Sequence, residues 1–233
     1  MDDVATQQYF EGYSIHQFEK TETFKRYYKI LEDINNNDLK EEFQFIEKYP
    51  FTKDLRPKAY EYDDSIIDVL IDAKVPEILR SIVAHDLYLH HVQIRKFYKN
   101  EHSIAYMPWH RDTHFYYGEK LSGLIPAPYK LIYYPKFDQE NDNCLSIAPG
   151  THISVKRNKN EDFAQLQNTL IHILKNSNEN FTIFNTSMFH NTISPRNSET
   201  QLRVIYSFVR KPQLRFEEQE HKALHDTYIK KID

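Results

Sequence analysis

The sequence predicts a mainly β protein, a sandwich or barrel of short strands, carrying a helical layer built from its N-terminal third. Three observations predict this. Apolar residues recur at helical spacing before His85, β-rich runs follow one another after Asp86, and no internal repeat or low-complexity linker divides the 233 residues. The reading is a single domain: residues 1–85 form a mostly helical layer, 86–212 a β core with a helical insert at about 162–176, and 213–233 a tail.

From Phe24 to Ile34 the apolar residues fall at Phe24, Tyr27, Tyr28, Leu31 and Ile34, the i, i+3, i+4, i+7 stripe of an amphipathic helix that the Asn35–Asp38 run ends. Asp38 then suits the N-cap of a second short helix with Leu39, Phe43 and Ile46 on one face, stopped before Pro50. A third is expected from Ser65 to Ala73. A fourth opens at Pro76, whose fixed φ suits a first helical turn, and carries Ile78, Leu79, Ile82 and Val83. The expected strands are Leu87–Tyr98, Tyr106–Tyr117, Lys130–Tyr134, Leu145–Ala148, Phe181–Phe184, Met188–Ile193 and Leu202–Val209. Between them, Phe163, Leu166, Leu170, Ile173 and Leu174 have helical spacing, so a helix over Asp162–Asn176 is expected to interrupt the strands. The charged tail from Leu214 is expected to end in a short helix.

A net charge of -4 gives no basic field for nucleic acid or an anionic membrane surface, so nucleic acid is not the expected partner. The single cysteine, Cys144, excludes an internal disulfide and fits a reducing compartment. With no basic-then-apolar leader and no apolar run of about 18 residues, a cytoplasmic protein without a membrane partner is expected.

The chemistry concentrates in YMPWHRDTHF, Tyr106 to Phe115, and in TSMFHNTIS, Thr186 to Ser194. In an extended strand His110 and Asp112, at i and i+2, project from one face. A distant imidazole, His190, would complete a set of two His and one carboxylate with open positions, which suits non-haem Fe(II). The plain alternative for a His-x-Asp pair among 12 histidines is a surface hydrogen bond. A rival, His110 with His114 at the helical zinc spacing, lacks the Glu that such a motif places after the first His; Arg111 stands there. His90, His91, His102, His152 and His172 are read as solvated or hydrogen-bonded.

Three blocks in order resemble the phytanoyl-CoA dioxygenase-like branch of the Fe(II)/2-oxoglutarate oxygenases: Trp109-His110-Arg111-Asp112, Asn143 to His152, and His190-Asn191-Thr192 with Arg203 after it. The resemblance spans Gln93 to Arg210 and implies a double-stranded β-helix, a cupin-like jelly roll. In it His110 and Asp112 lie on the second strand and His190 on the seventh, with the N-terminal helices packed on the major sheet. It further implies Fe(II) held by His110, Asp112 and His190, and 2-oxoglutarate as cosubstrate with its far carboxylate gripped by Arg203. A guanidinium fork matches a carboxylate, and strand parity places Arg203 on a face with Ile205, Ser207 and Val209. Thr192, two residues after His190, is expected beside the ligand, and Arg95 and Tyr106 are further pocket candidates. Arg111 should point away from the metal. The sequence departs from the family at Asn143-Cys144, where a glycine is missing between the two.

The resemblance implies a dioxygenase that hydroxylates a small molecule with oxygen and yields succinate and carbon dioxide. Asp112 favours hydroxylation, since related halogenases carry a small residue there. Phe115, Tyr116, Tyr117 and Tyr133 are candidates for excluding water. Alternatives are a metal-containing jelly roll that binds a sugar or other ligand without redox turnover, and an oxygenase of protein or nucleic acid touched by the Lys156, Arg157 and Lys159 loop.

Overall fold

The computed structural model describes residues 3–36, 45–49, 52–55, 59–83, 87–98, 105–112, 129–135, 145–156, 158–174, 178–193, 200–210 and 219–232. The chain opens with α1 (Asp3–Glu11), β1 (Tyr13–Gln17) and α2 (Glu22–Asn35), followed by the hairpin strands β2 (Phe45–Tyr49) and β3 (Thr52–Leu55). After a short 3-10 turn come α3 (Ser65–Asp72) and α4 (Val75–Ile82). The strands then run β4 (Leu87–Tyr98), β5 (Ala105–His110), β6 (Tyr129–Tyr133), β7 (Leu145–Ile147), β8 (His172–Leu174), β9 (Asn180–Asn185), β10 (His190–Ile193) and β11 (Thr200–Arg210). The helix α5 (Lys159–Ala164) precedes β8, and α6 (Gln219–Ile232) closes the chain.

Two sheets result, one in the order β1-β9-β6-β11-β4-β3-β2 and one in the order β5-β10-β7-β8. Counting from β4, the central strands read 6-3-8-1 in the larger sheet and 2-7-4-5 in the smaller. Successive strands therefore alternate between sheets except at β7 and β8, which pair within the smaller one, and this is the winding of a double-stranded β-helix. β5 is its second strand and β10 its seventh, as the sequence implied. β1 extends one edge of the larger sheet, and the β2–β3 hairpin extends the other.

Strand parity divides the larger sheet into two faces. Leu131, Tyr133, Phe181, Ile183, Leu202, Val204, Tyr206 and Phe208 pack outward against α2, α3, α4 and α6. Ile132, Tyr134, Phe184 and Ile205 point inward, where they meet Leu145, Ile147 and Leu174 of the smaller sheet. The expected helical cover on the major sheet is thus present. In α2, Tyr27, Leu31 and Ile34 are fully buried, each aliphatic side chain contributing about 1.5–3 kcal/mol of burial. The helix starts at Thr21, whose Oγ1 accepts from the Phe24 N–H at 3.1 Å, a cap worth about 1 kcal/mol.

Four local expectations change. The stretch expected as a second helix includes β2, where Ile46 pairs with Asp54 of β3; Leu39 and Phe43 lie outside the described residues. Pairing onto the β4 edge overrides a weak helical period. The N-terminal third also holds β1, so it is less helical than expected. The insert over 162–176 starts earlier, at Lys159, and ends in a 3-10 turn, after which His172–Leu174 form β8. There Leu145 pairs with Leu174, while Leu170 and Ile173 are exposed, so the apolar spacing did not mark a buried helical face. The C-terminal helix is longer than expected and buries Leu224 and Tyr228.

Candidate metal centre

β10 runs between β5 and β7, and His190 sits directly opposite His110 in the β10–β5 register. Asp112 lies just past the end of β5, two residues on, and its N–H donates to Thr186 O at 2.9 Å. That bond ties it to the turn that leads into His190. The strand expected through Tyr117 ends at His110, with Arg111 and Asp112 beyond it, and residues 113–117, His114 among them, lie outside the described residues. His110 is in a strand, which removes the helical zinc spacing.

The three side chains converge. One ligand atom from each of His110, Asp112 and His190 lies within 4.8 Å of the others, and both imidazole Nε2 atoms stand 3.5 Å from an Asp112 oxygen. Each ring is fixed from behind by a backbone carbonyl. His110 Nδ1 is 2.7 Å from Pro108 O and His190 Nδ1 is 2.9 Å from Met188 O. A carbonyl only accepts, so both Nδ1 atoms carry hydrogen and both rings turn Nε2 toward Asp112. Burial lowers the His190 pKa, against the opposing pull of Asp112. Burial pushes the Asp112 carboxyl up, but the Lys130 ammonium and the two imidazoles outweigh it and hold the carboxyl well below the usual range. Two imidazoles and a carboxylate make a donor set that fits a divalent transition metal.

These residues line a cavity of about 170 Å³ together with Gln93, Arg95, Lys130, Thr192 and Arg203. That is below the ~300–1,000 Å³ of pockets for drug-sized ligands, a size suited to a small anion. In Arg203, 3% exposed, Nη1 reaches Thr192 Oγ1 at 3.5 Å and Nη2 donates to Gln93 Oε1 at 3.3 Å. Its guanidinium carbon lies 5.1 Å from the centre of the Phe97 ring. Arg95, opposite Arg203 in the β11–β4 register, also lines the cavity. Its fork holds Asp54 of β3 through Nε and, at 2.7 Å, through Nη2; Gln93 Nε2 donates to the same carboxylate at 3.1 Å. Thr192 lies on the cavity side of β10, as its spacing from His190 implied. Tyr106 is on β5, with its side chain outside the described residues.

Three polar residues that the sequence did not single out join the site. Lys130 Nζ donates to Asp112 Oδ2 at 2.6 Å, Asp54 engages Arg95 and Gln93, and Gln93 also accepts from Arg203. For Lys130 the signal was parity, because it shares the inner face of β6 with Ile132. Asp54 gave none, since no strand was expected at Thr52–Leu55. Arg111 points away from the metal ligands, as expected, into a buried ion pair with Asp162. Tyr133 faces the helices and donates to Asn178 O, so it does not wall the cavity. His152 and His172 are hydrogen-bonded, to Tyr9 O and to Tyr13 Oη. Lys156 and Lys159 are exposed, and Arg157 lies outside the described residues.

Several solved structures share this architecture. The non-heme alpha ketoglutarate dependent carbocyclase SnoK from nogalamycin biosynthesis aligns with a TM-score of 0.68 at 9% identity, over 93% of this chain and 88% of its own. The chain has the jelly-roll fold of this group. EctD from S. alaskensis, solved with 2-oxoglutarate and 5-hydroxyectoine, aligns at 0.63 with 13% identity, over 90% of this chain and 76% of its own. HygX from Streptomyces hygroscopicus, solved with nickel, 2-oxoglutarate and hygromycin B bound, aligns at 0.62 with 11% identity, over 91% and 88%. No protein-family model matches this jelly-roll sequence, and no curated protein does. Among the described residues no helix is long and apolar enough to cross a membrane.

Proposed function

We propose that the protein is an Fe(II)/2-oxoglutarate-dependent dioxygenase that oxidises, and most simply hydroxylates, a small-molecule substrate. The convergence of His110, Asp112 and His190 beside the Arg203 fork carries this reading. His110 and His190 would offer Nε2, with Pro108 O and Met188 O keeping the rings aimed. Asp112 would supply the anionic donor. Arg203, with Thr192 alongside, would bind the far carboxylate of 2-oxoglutarate in the cavity that both share with the ligand triad. When bound, the iron supplies oxygen activation coupled to decarboxylation of 2-oxoglutarate to succinate and carbon dioxide. Ile132, Leu145, Phe184 and Ile205 would supply the apolar part of the wall around that chemistry.

The phytanoyl-CoA dioxygenase-like blocks and the similarity of the fold to SnoK, EctD and HygX support the same reading. The carboxylate at Asp112 leaves no vacancy for a halide and favours oxygen insertion. Residues 1–85, 86–212 and 213–233 would then act as one catalytic domain in the cytoplasm.

The test is anaerobic titration of Fe(II) and 2-oxoglutarate, followed by exposure to oxygen with labelled 2-oxoglutarate. A visible charge-transfer band and slow release of labelled carbon dioxide are expected even without the substrate. Metal binding without any 2-oxoglutarate binding would instead make the protein a metal-containing ligand-binding jelly roll.

A further inference from the structure

Lys130 stands out because it is aimed at the only carboxylate of the triad from the opposite sheet. It lies on β6, in register with Phe184 of β9 and Ser207 of β11, so strands on both sides fix its backbone. Its stem crosses the interior on the face shared with Ile132 and ends 2.6 Å from Asp112 Oδ2. The two Asp112 oxygens are therefore unequal. Each faces one ligand imidazole at 3.5 Å, Oδ1 that of His110 and Oδ2 that of His190, and Oδ2 alone also holds an ammonium. Lys130 also lines the cavity that contains Arg203, so a ligand there lies between two fixed cations.

A cation bound by Asp112 must share that carboxylate with the ammonium, and like charges oppose each other. A dicarboxylate entering the same cavity is attracted by it. One residue thus acts with opposite sign on the two ligands that the site would bind in sequence. We propose that Lys130 sets the charge balance of the pocket, weakening divalent metal binding while strengthening binding of the dicarboxylate cosubstrate. This rests on the function proposed above. Lys130 is a positioning and charge-setting residue in this scheme, acting through Asp112 and through the field in the cavity.

The experiment compares the full chain with Lys130→Met, Lys130→Gln and Lys130→Arg. Mn(II) affinity is read by electron paramagnetic resonance, and 2-oxoglutarate affinity by calorimetry on the Mn(II)-loaded protein. Both neutral variants should bind Mn(II) about threefold or more tighter and 2-oxoglutarate about tenfold weaker, the factor that roughly 1.4 kcal/mol of lost attraction produces. Lys130→Arg should stay close to wild type in both. A loss of both affinities together, no change in either, or failure of both neutral variants to fold would overturn the inference and make Lys130 a structural residue. Wild-type protein that binds neither Mn(II) nor 2-oxoglutarate would overturn the proposed function itself, and this inference with it.

Discussion

Arg111 and Asp162 form a two-pronged ion pair, Nε to Oδ2 and Nη2 to Oδ1, both at 2.9 Å, with the two side chains 3% and 0% exposed. Arg111 stands between two residues of the triad. Its Nη1 also donates to Thr151 O at 2.8 Å and to Ser187 O, and its guanidinium lies 3.9 Å from the centre of the Phe189 ring. One buried side chain therefore ties α5 and the turn before His190 to the segment carrying His110 and Asp112. Arg111→Ala should cost about 3–5 kcal/mol, because the Asp162 charge stays buried without its partner. Urea unfolding checks this, and Arg111→Met with Asp162→Leu should recover part of the loss.

His190→Ala and Asp112→Ala should each abolish specific divalent metal binding while leaving the fold intact. The measurement is a melting curve with and without Mn(II). Metal at a hundredfold over its Kd should stabilise the wild type by about 2.7 kcal/mol, and neither variant should respond.

Arg203→Ala removes the fork beside Thr192 and Gln93. Charge-assisted bonds contribute about 1.5–3 kcal/mol each, so 2-oxoglutarate affinity should fall about a hundredfold while Mn(II) affinity changes little. Arg203→Lys should restore only part, since an ammonium lacks the planar fork. Equal affinity in wild type and Arg203→Ala would remove Arg203 from the cosubstrate site.

His16 Nε2 lies 2.7 Å from Ser14 Oγ and the ring stacks on Phe181, and burial lowers its pKa from 6.5 to about 4. The folded state thus prefers the neutral ring. Below pH 6.5 the unfolded chain takes up a proton that the native state refuses, so stability falls as pH drops toward 4. His16→Gln should flatten that part of the stability profile and leave the profile above pH 6.5 unchanged in shape.

Gly12 has φ +85°, and a Cβ there would stand 2.6 Å from His152 Nδ1. The His152 ring is held by Tyr9 O at 3.0 Å, and the Gly12 carbonyl accepts from the Asn185 N–H at 2.8 Å. Gly12→Ala should therefore cost more than the ~1–2 kcal/mol of a left-handed L residue, measured as a lowered midpoint in thermal unfolding.

Much of the site was legible because its signals are local. Alternation along Leu202–Val209 put Arg203 on the inner face, and a spacing of two put Thr192 beside His190. Where sequence reading erred, pairing between distant segments was decisive. Ile46 obeyed the edge of β4 through β3, and His172–Leu174 obeyed β7, although both stretches have helical spacing.

By itself the sequence determined the identities of the candidate ligands, the parity of the long β11 strand and the amphipathic helices over the major sheet. Each follows from a period of two or 3.6 within one segment. Only the tertiary structure decided that His190 stands opposite His110, that Lys130 meets Asp112 across the sandwich, and that Asp54 holds Arg95. Those relations depend on the register and stacking of strands far apart in the chain, which backbone hydrogen bonding and inter-sheet packing select and no single segment encodes.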